Sequence, residues 1–231
     1  IMQYEIKGGN FPVVICNLDR NETIMSEKGG MAWMSDKISM ETTTGGGILK
    51  GLGRSFSGES MFLNKFTATD ERQFIAFGSS YSGQILDIKL QSGKDIIAQK
   101  KAMLAMEENV NMSIHFRKRL GAGFFGGEGF ILQRFSGNGY IFLEIDGDII
   151  EYNLAAGEKL IIDQGYLAAM EDTVDFDIVK VKGLKNILFG GEGLFLGELV
   201  GPGKVWIQTM PLSGLVNEVL TINFSVCSQT S

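Results

Sequence analysis

The stretch SGQILDIKLQSGKDIIAQKKAMLAMEENVNMSI (residues 82–114) decides the fold, because a second copy of it follows 64 positions later. That copy, DGDIIEYNLAAGEKLIIDQGYLAAMEDTVDFDI (146–178), aligns with the first without a gap. A weaker third copy lies earlier, at an offset of 72, and reads LDRNETIMSEKGGMAWMSDKISM (18–40). Repetition of this kind predicts one structural unit that is built three times.

A second block of sequence alternates with the first. It reads FSGESMFLNKF (56–66), FGGEGFILQRF (125–135) and FGGEGLFLGEL (189–199). The two blocks together predict a single domain over residues 1–231, made of three repeats and a final strand. The expected repeats span about 1–81, 82–145 and 146–213, and the C-terminal strand spans 214–231.

Each repeat has the composition of β-structure. Short apolar runs such as Ile85–Leu90 are bounded by turn pairs such as Ser92-Gly93 and Asp146-Gly147. Glycine contributes 31 of the 231 residues and proline only three, as expected for many tight turns between hydrogen-bonded strands. The segments 99–109 and 163–173 are interpreted as strand–turn–strand corners. We therefore predict an all-β fold in which three repeats pack about a pseudo-threefold axis.

Composition excludes several classes of function. One histidine and two cysteines, Cys16 and Cys227, leave no basis for a metal centre of histidines or cysteines or for a disulfide scaffold. We expect both thiols to be free, and the sequence does not indicate whether they lie close together. The net charge of −6 disfavours a DNA or general RNA partner. No apolar run is long enough to span a bilayer, and no signal peptide is visible, so we expect a cytoplasmic protein.

The candidate binding residues recur with the repeat. Glu59, Glu128 and Glu192 occupy the same place in the Gly-Glu blocks. Symmetry would bring them together around a cation such as Ca²⁺ or Mg²⁺, whereas separate positions on the perimeter would leave each to cap a backbone amide or pair with a basic residue. The second interpretation is favoured, so no metal site is predicted. Basic residues precede each block, among them Arg54, Arg117 and Arg119; they suit an anion or RNA, or alternatively a solvated face.

Two further features have structural interpretations. Gly121-x-Gly123-x-x-Gly126 has the spacing of a dinucleotide fingerprint, but the residues after it have the pattern of a strand, not of a helix. His115 has no second histidine and no nucleophile motif, so no catalytic residue is assigned and no cofactor is expected. The glycine-rich segment 45–53 is peculiar to the first repeat, and it suits a mobile loop, a membrane contact or a subunit contact equally well.

Two long motifs carry a family resemblance. METTTGGGILKGLGRSFSGESMFLNKFTA (40–68) and GGEGLFLGELVGPGKVWIQTMPL (190–212) resemble the altered-inheritance-of-mitochondria protein 24 family, and the likeness extends over essentially the whole chain. The resemblance implies a fold like that of the tryptophan RNA-binding attenuation protein, with a double-stranded β-helix-like arrangement triplicated in one chain. It carries over no catalytic residue. The missing transit peptide indicates a bacterial member.

Two hypotheses about function follow. The first is a non-enzymatic β scaffold or interaction protein that forms homo-oligomers through exposed strands or apolar faces. The alternative is a binding module for an anion, a metal ion or RNA that uses the repeated basic or Gly-Glu positions.

Overall fold

The computed structural model describes residues 2–27, 29–44, 62–118, 129–180 and 195–211. Within these ranges the regular structure consists of β-strands and short 3-10 turns, so the expected all-β fold is confirmed. The strands are β1 (Gln3–Lys7), β2 (Val13–Leu18), β3 (Thr23–Glu27), β4 (Met31–Met34), β5 (Ile38–Thr44), β6 (Phe62–Ala68), β7 (Gln73–Gly78), β8 (Gly83–Leu90), β9 (Ile96–Gln99), β10 (Met103–Glu107), β11 (Val110–Lys118), β12 (Phe130–Gly137), β13 (Gly139–Asp146), β14 (Ile149–Leu154), β15 (Lys159–Ile162), β16 (Leu167–Glu171), β17 (Asp175–Lys180), β18 (Phe195–Val200) and β19 (Gly203–Gln208).

Local sequence explains these elements. In β2, Val14, Cys16 and Leu18 are buried and alternate with more exposed neighbours, as the two-residue period of a strand requires. The two segments with helix-forming residues each contain a single 3-10 turn, Lys100–Ala102 and Gln164–Tyr166, that leads directly into a strand. As expected, neither segment forms an α-helix, and the 64-residue offset relates the two turns.

The chain divides into two compact units. Unit 1 contains Ile1–Gly93, Lys101–Asn111 and Ser136–Ile145. Its sheets have four strands in the order β1-β2-β7-β4 and six in the order β5-β6-β3-β10-β13-β8. Side chains from both sheets form one core, which includes Cys16, Phe66, Phe77 and Phe142, all at most 1% exposed. Unit 1 is thus a two-layer β structure held by apolar burial between its sheets.

Unit 2 contains Lys94–Lys100, Met112–Phe135 and Asp146–Ser231. Its described strands form a six-stranded sheet, β11-β12-β9-β16-β19-β14, and a three-stranded sheet, β15-β18-β17. The core again draws on both sheets and includes Leu132, Leu167, Met170 and Leu199. Unit 2 therefore has the same two-layer construction, with a core of its own.

The same pattern of strand neighbours recurs in three consecutive sets of six strands, β2–β7, β8–β13 and β14–β19. In each set the sixth strand lies between the first and the third, and the fifth lies between the second and the fourth. Unit 1 holds the first set and unit 2 the last, whereas the middle set contributes three strands to each. The pseudo-threefold axis and the single-domain organisation expected from the sequence stay predictions.

Candidate functional site

Most of the predicted binding residues lie in three connections that the strand order makes equivalent. These connections, 45–61, 119–128 and 181–194, join β5 to β6, β11 to β12 and β17 to β18, and the strands of each pair are neighbours in one sheet. All three lie outside the described residues, and with them the glycine-rich segment 45–53 and Gly121, Gly123 and Gly126, whose dinucleotide-type spacing was interpreted as structural. The same holds for five of the six candidate residues: Arg54, Glu59, Arg119, Glu128 and Glu192.

Arg117 is the candidate residue that the structure describes. It lies on β11 and is exposed. Its neighbour Lys118 donates to the carbonyl oxygen of Ile178 at 3.0 Å and lies 3.6 Å from the Asp177 carboxylate. The basic run at the end of β11 is therefore partly neutralised by β17, and Arg117 itself faces solvent.

His115, on the same strand, takes part in a charge cluster that the sequence did not reveal. Arg134 Nη1 lies 3.0 Å from Asp95 Oδ2 and 3.3 Å from Asp172 Oδ2, and Arg134 Nη2 lies 3.3 Å from His115 Nδ1. Burial and the Arg134 charge lower the pKa of His115, whereas Asp172 opposes this. The cluster thus joins His115 to an arginine that also pairs with two carboxylates.

Ion pairs recur at the equivalent places in the other two sets. Lys65 Nζ, on β6 of the first set, lies 2.6 Å from Glu108 Oε1 of the middle set, and Lys159 Nζ lies 3.1 Å from Glu198 Oε2 within the last set. Alignment of the Gly-Glu blocks places Lys65, Arg134 and Glu198 at the same position. This position is basic in the first two sets and acidic in the third, and in each set its side chain forms an ion pair. Alignment of the three copies at these positions was the signal that would have revealed the cluster.

A second recurrent feature is an acceptor side chain, at or just after the end of one strand, that bonds to a backbone N–H of the neighbouring strand. Glu107 Oε2 accepts from the Tyr140 backbone N–H at 2.7 Å, and Glu171 Oε2 accepts from that of Lys204 at 2.8 Å. In the first set Ser35 Oγ accepts from the backbone N–H of Phe74 at 3.1 Å. The two carboxylates thus satisfy backbone donors of neighbouring strands.

One exposed aromatic surface lies on the four-stranded sheet of unit 1. Ile15 and Trp33 are both opposite Ala76, one on each neighbouring strand, and Phe74 follows on the same face two residues along β7. Trp33 is 47% exposed and Phe74 41% exposed. We call Ile15, Trp33 and Phe74 the Trp33 face. Within the part of the chain that the structure describes, β4 is the last strand of its sheet, so this face lies next to a strand edge.

The equivalents of Trp33 show why this face is different. At the repeat offsets Trp33 corresponds to Ala105 and Ala169, which are fully buried. Their strands, β10 and β16, each have a neighbour on both sides, whereas β4 has a neighbour on only one side within the described residues. An interior strand thus carries a small residue here and the edge strand carries a large aromatic one.

Three observations on the described residues concern metal binding, membrane spanning and thiol chemistry. Among the described residues there is no group of three or more His, Cys, Asp or Glu side chains placed to hold a metal ion. None of the helical segments described is long and apolar enough to cross a membrane. Cys16 is a free buried thiol, and burial raises its pKa to about 12. Cys227 lies outside the described residues.

Comparisons with known proteins agree with this architecture. The family model described as Mitochondrial biogenesis AIM24 matches residues 4–210. An X-ray crystal structure of a structural-genomics target from Streptococcus pyogenes matches with a TM-score of 0.76 and 24% sequence identity, over 96% of this chain and 100% of that one. This likeness shows a shared fold. No curated protein matches the sequence significantly.

Proposed function

We propose that this chain, which belongs to the mitochondrial biogenesis AIM24 family, is a non-enzymatic β scaffold. In this proposal it self-associates through the Trp33 face. The observation that supports this proposal is the exposure of Trp33 on β4, the last described strand of its sheet. The equivalent strands β10 and β16 carry a buried alanine at this position. The partner proposed for the face is a second copy of the chain.

The physical basis is the cost of leaving aromatic side chains in water. Trp33 and Phe74 lie on the same face of the adjacent strands β4 and β7, so a partner that covers them meets an ordered surface and loses little conformational entropy. Tryptophan and other aromatic anchors commonly dominate interface energies, with roughly 2 kcal/mol or more for each anchor residue. An open strand edge next to them adds unpaired backbone groups that favour association with another strand.

Light scattering of purified protein tests this proposal directly. The wild-type chain is expected to have the mass of an oligomer, and the double variant W33E/F74E is expected to have the mass of one chain. The matched control is Y81E, since Tyr81 is also an exposed aromatic of unit 1, at 47%, but lies outside the Trp33 face. A wild-type monomer, or an oligomer that survives W33E/F74E, would refute the proposal.

A second candidate function is supported by the three equivalent connections. Arg54, Glu59, Glu128 and Glu192 fall in segments that join the same pair of strands in each set. A ligand-binding module for an anion, a divalent cation or RNA would use such a repeated set. Calorimetric titration with Ca²⁺, Mg²⁺ or Mn²⁺, compared between wild type and E59Q/E128Q/E192Q, tests the cation. Retention on an RNA matrix at low salt, with loss in R54Q/R119Q, tests the anion form.

The remaining expectations stand as part of this proposal. They are the pseudo-threefold axis, the fold like that of the tryptophan RNA-binding attenuation protein, the cytoplasmic location, and the lack of a cofactor and of a DNA partner. The threefold recurrence of strand neighbours supports the repeat. The net charge of −6 supports the exclusion of DNA.

A further inference from the structure

We propose that β4 of one chain pairs with β15 (Lys159–Ile162) of a second copy. The four-stranded sheet of unit 1 in one copy would then continue into the three-stranded sheet of unit 2 in the other. This inference rests on the proposed self-association, and it names the strand that meets the β4 edge beside the Trp33 face.

Strand order shows that the equivalent contact is made twice elsewhere in the chain. Each six-stranded sheet consists of two halves: β5-β6-β3 continues into β10-β13-β8, and β11-β12-β9 continues into β16-β19-β14. The joint is β3–β10 in the first sheet and β9–β16 in the second. The remaining halves are β17-β18-β15 and β4-β7-β2, and within the described residues β15 and β4 each end a sheet. One pair of matching edges is therefore open.

The register of the two joints predicts the register of the third. Both joints contain the same antiparallel residue pair at repeat-related positions: Met106 opposite Met25, and Met170 opposite Ile97. The repeat offsets of 64 and 72 carry this pair onto Met34 of β4 and Ile161 of β15. Trp33 would then lie opposite Ile162. A strand in the position of β15 is thus the partner that the repeat specifies for the β4 edge.

Both open edges expose apolar side chains whose counterparts in the joints are buried. Ile161 is 48% exposed, whereas its counterparts Met25 and Ile97 are at most 1% exposed. Trp33 is 47% exposed, whereas the two equivalent alanines are fully buried. Pairing of the two edges would remove this apolar surface from water, which favours association.

The composition of β4 is that of an interior strand. Edge strands commonly carry charged side chains that discourage contact with another strand. β1, at the opposite end of the same sheet, has Glu5 and Lys7. β4, with the sequence MAWM, has no charged residue, and in β15 the one charged residue is Lys159 at the first position. Neither strand is therefore protected against pairing along the predicted register.

A cluster of charged side chains lies across each of the two joints. In the second joint Arg134 of β12 pairs with Asp95, next to β9, and with Asp172, which follows β16. In the first joint Lys65 of β6 pairs with Glu108, which follows β10. Each cluster thus connects one half of a sheet to the residue after the joint strand of the other half.

The same cluster would form where β4 meets β15. On the β15 side, Lys159 Nζ lies 3.1 Å from Glu198 Oε2. The equivalent of Asp172 is Asp36, which follows β4, has an 82% exposed side chain and pairs with the adjacent lysine. The predicted register places Asp36 directly opposite Lys159. The joint between copies would therefore contain one basic and two acidic side chains, as the Arg134 cluster does.

Disulfide formation between two single-cysteine variants tests the pairing. Residues directly opposite each other in an antiparallel ladder have Cα atoms roughly 4.5–5.5 Å apart, a separation that a disulfide spans. M34C and I161C are co-expressed with different tags in a C227S background, where the remaining Cys16 is buried, and are oxidised with diamide. A covalent pair that carries both tags is expected. The matched control is M34C with I150C, since Ile150 is 44% exposed but lies on β14, and it should give no mixed pair.

Light scattering distinguishes this inference from the proposed function on which it rests. I161D is expected to lose the oligomer, whereas I150D should keep the wild-type mass. Loss of the oligomer in W33E/F74E but not in I161D would overturn the β4–β15 pairing and leave self-association through the Trp33 face standing. A wild-type monomer would overturn both.

The cross-link decides the inference even if I161D fails to fold. Absence of the mixed pair, or an equal yield with I150C, would overturn it. So would a covalent pair of two M34C chains, since β4 would then meet β4, and so would a disulfide inside one chain of M34C/I161C.

Discussion

Two turn glycines of unit 2 allow a sharp test of the steric argument for glycine in this fold. Gly147 lies between β13 and β14, and Gly157 lies between β14 and β15; both have φ near +77°. A Cβ atom at Gly147 would lie 2.6 Å from Thr209 Oγ1 and 3.1 Å from the Met210 backbone nitrogen. A Cβ atom at Gly157 would have no heavy atom within 4 Å. The variants G147A and G157A therefore share the backbone strain and differ in the clash.

The expected magnitudes follow from these contacts. Left-handed backbone at an alanine costs about 1–2 kcal/mol, and reduced freedom of the unfolded chain returns about 0.4–1 kcal/mol of that. G157A should thus lower the free energy of unfolding by about 1 kcal/mol. G147A adds an overpacking cost of about 1–3 kcal/mol, because the Thr209 hydroxyl must move and it accepts from the Asp148 backbone N–H at 2.8 Å. The total for G147A is about 2–4 kcal/mol.

Urea unfolding followed by tryptophan fluorescence measures this difference. The sequence has two tryptophans, so a W33F background leaves Trp206 as the reporter, and Trp206 is buried in unit 2. With a slope near 2 kcal/mol per molar urea, G147A should lower the midpoint by about 1–2 M and G157A by about 0.5 M. Equal shifts, or a larger shift for G157A, would refute the reasoning that close contacts decide the cost.

Three further predictions concern ionisable groups. The pKa of His115 is lowered in the folded protein, so near the usual histidine pKa of about 6.5 the unfolded chain binds more protons than the folded one. The free energy of unfolding should therefore fall as the pH drops from 7.5 to 5.5. The variant H115Q should reduce that fall, as measured by urea midpoints. R134M should lower the free energy of unfolding by about 1–3 kcal/mol, because it removes the arginine that pairs with the half-buried carboxylates of Asp95 and Asp172. K159M removes the more exposed pair with Glu198 and should cost less than about 1 kcal/mol. In a C227S background Cys16 should react with a thiol reagent only after unfolding, because the thiol is buried and its pKa is raised to about 12; prompt reaction in the folded protein would contradict the burial.

Local patterns were sufficient to predict much of the fold. The alternation in strands such as β2 and the turn glycines at Gly93 and Gly147, both with positive φ, predicted an all-β chain. The helix-forming residues around Lys100 were interpreted as a corner, and the structure has a 3-10 turn there. These properties depend on neighbours in sequence, so a single sequence carries them.

The candidate site was less accessible to sequence reasoning. The Gly-Glu and basic positions were identified as recurrent, but all except Arg117 lie outside the described residues, so their grouping stays a prediction. The Arg134 cluster was missed because its members are far apart in sequence, with Asp95 and Asp172 separated by 77 positions. The Trp33 face was missed for a related reason, since a tryptophan in a strand has the same local pattern whether it is covered or exposed.

The sequence by itself determined the type of secondary structure, the repeat offsets and the family, because each of these is encoded in local patterns that survive in every copy. Tertiary structure alone decided which copies of a strand are interior and which are edges. β10 and β16 are flanked on both sides and carry buried alanines, whereas the equivalent β4 is an edge strand among the described strands and exposes Trp33. The physical reason is that a strand's exposure is set by the backbone that pairs with its two edges. For β10 and β16 one of the two neighbours, β3 or β9, comes from the preceding set of strands, and β4 belongs to the first set.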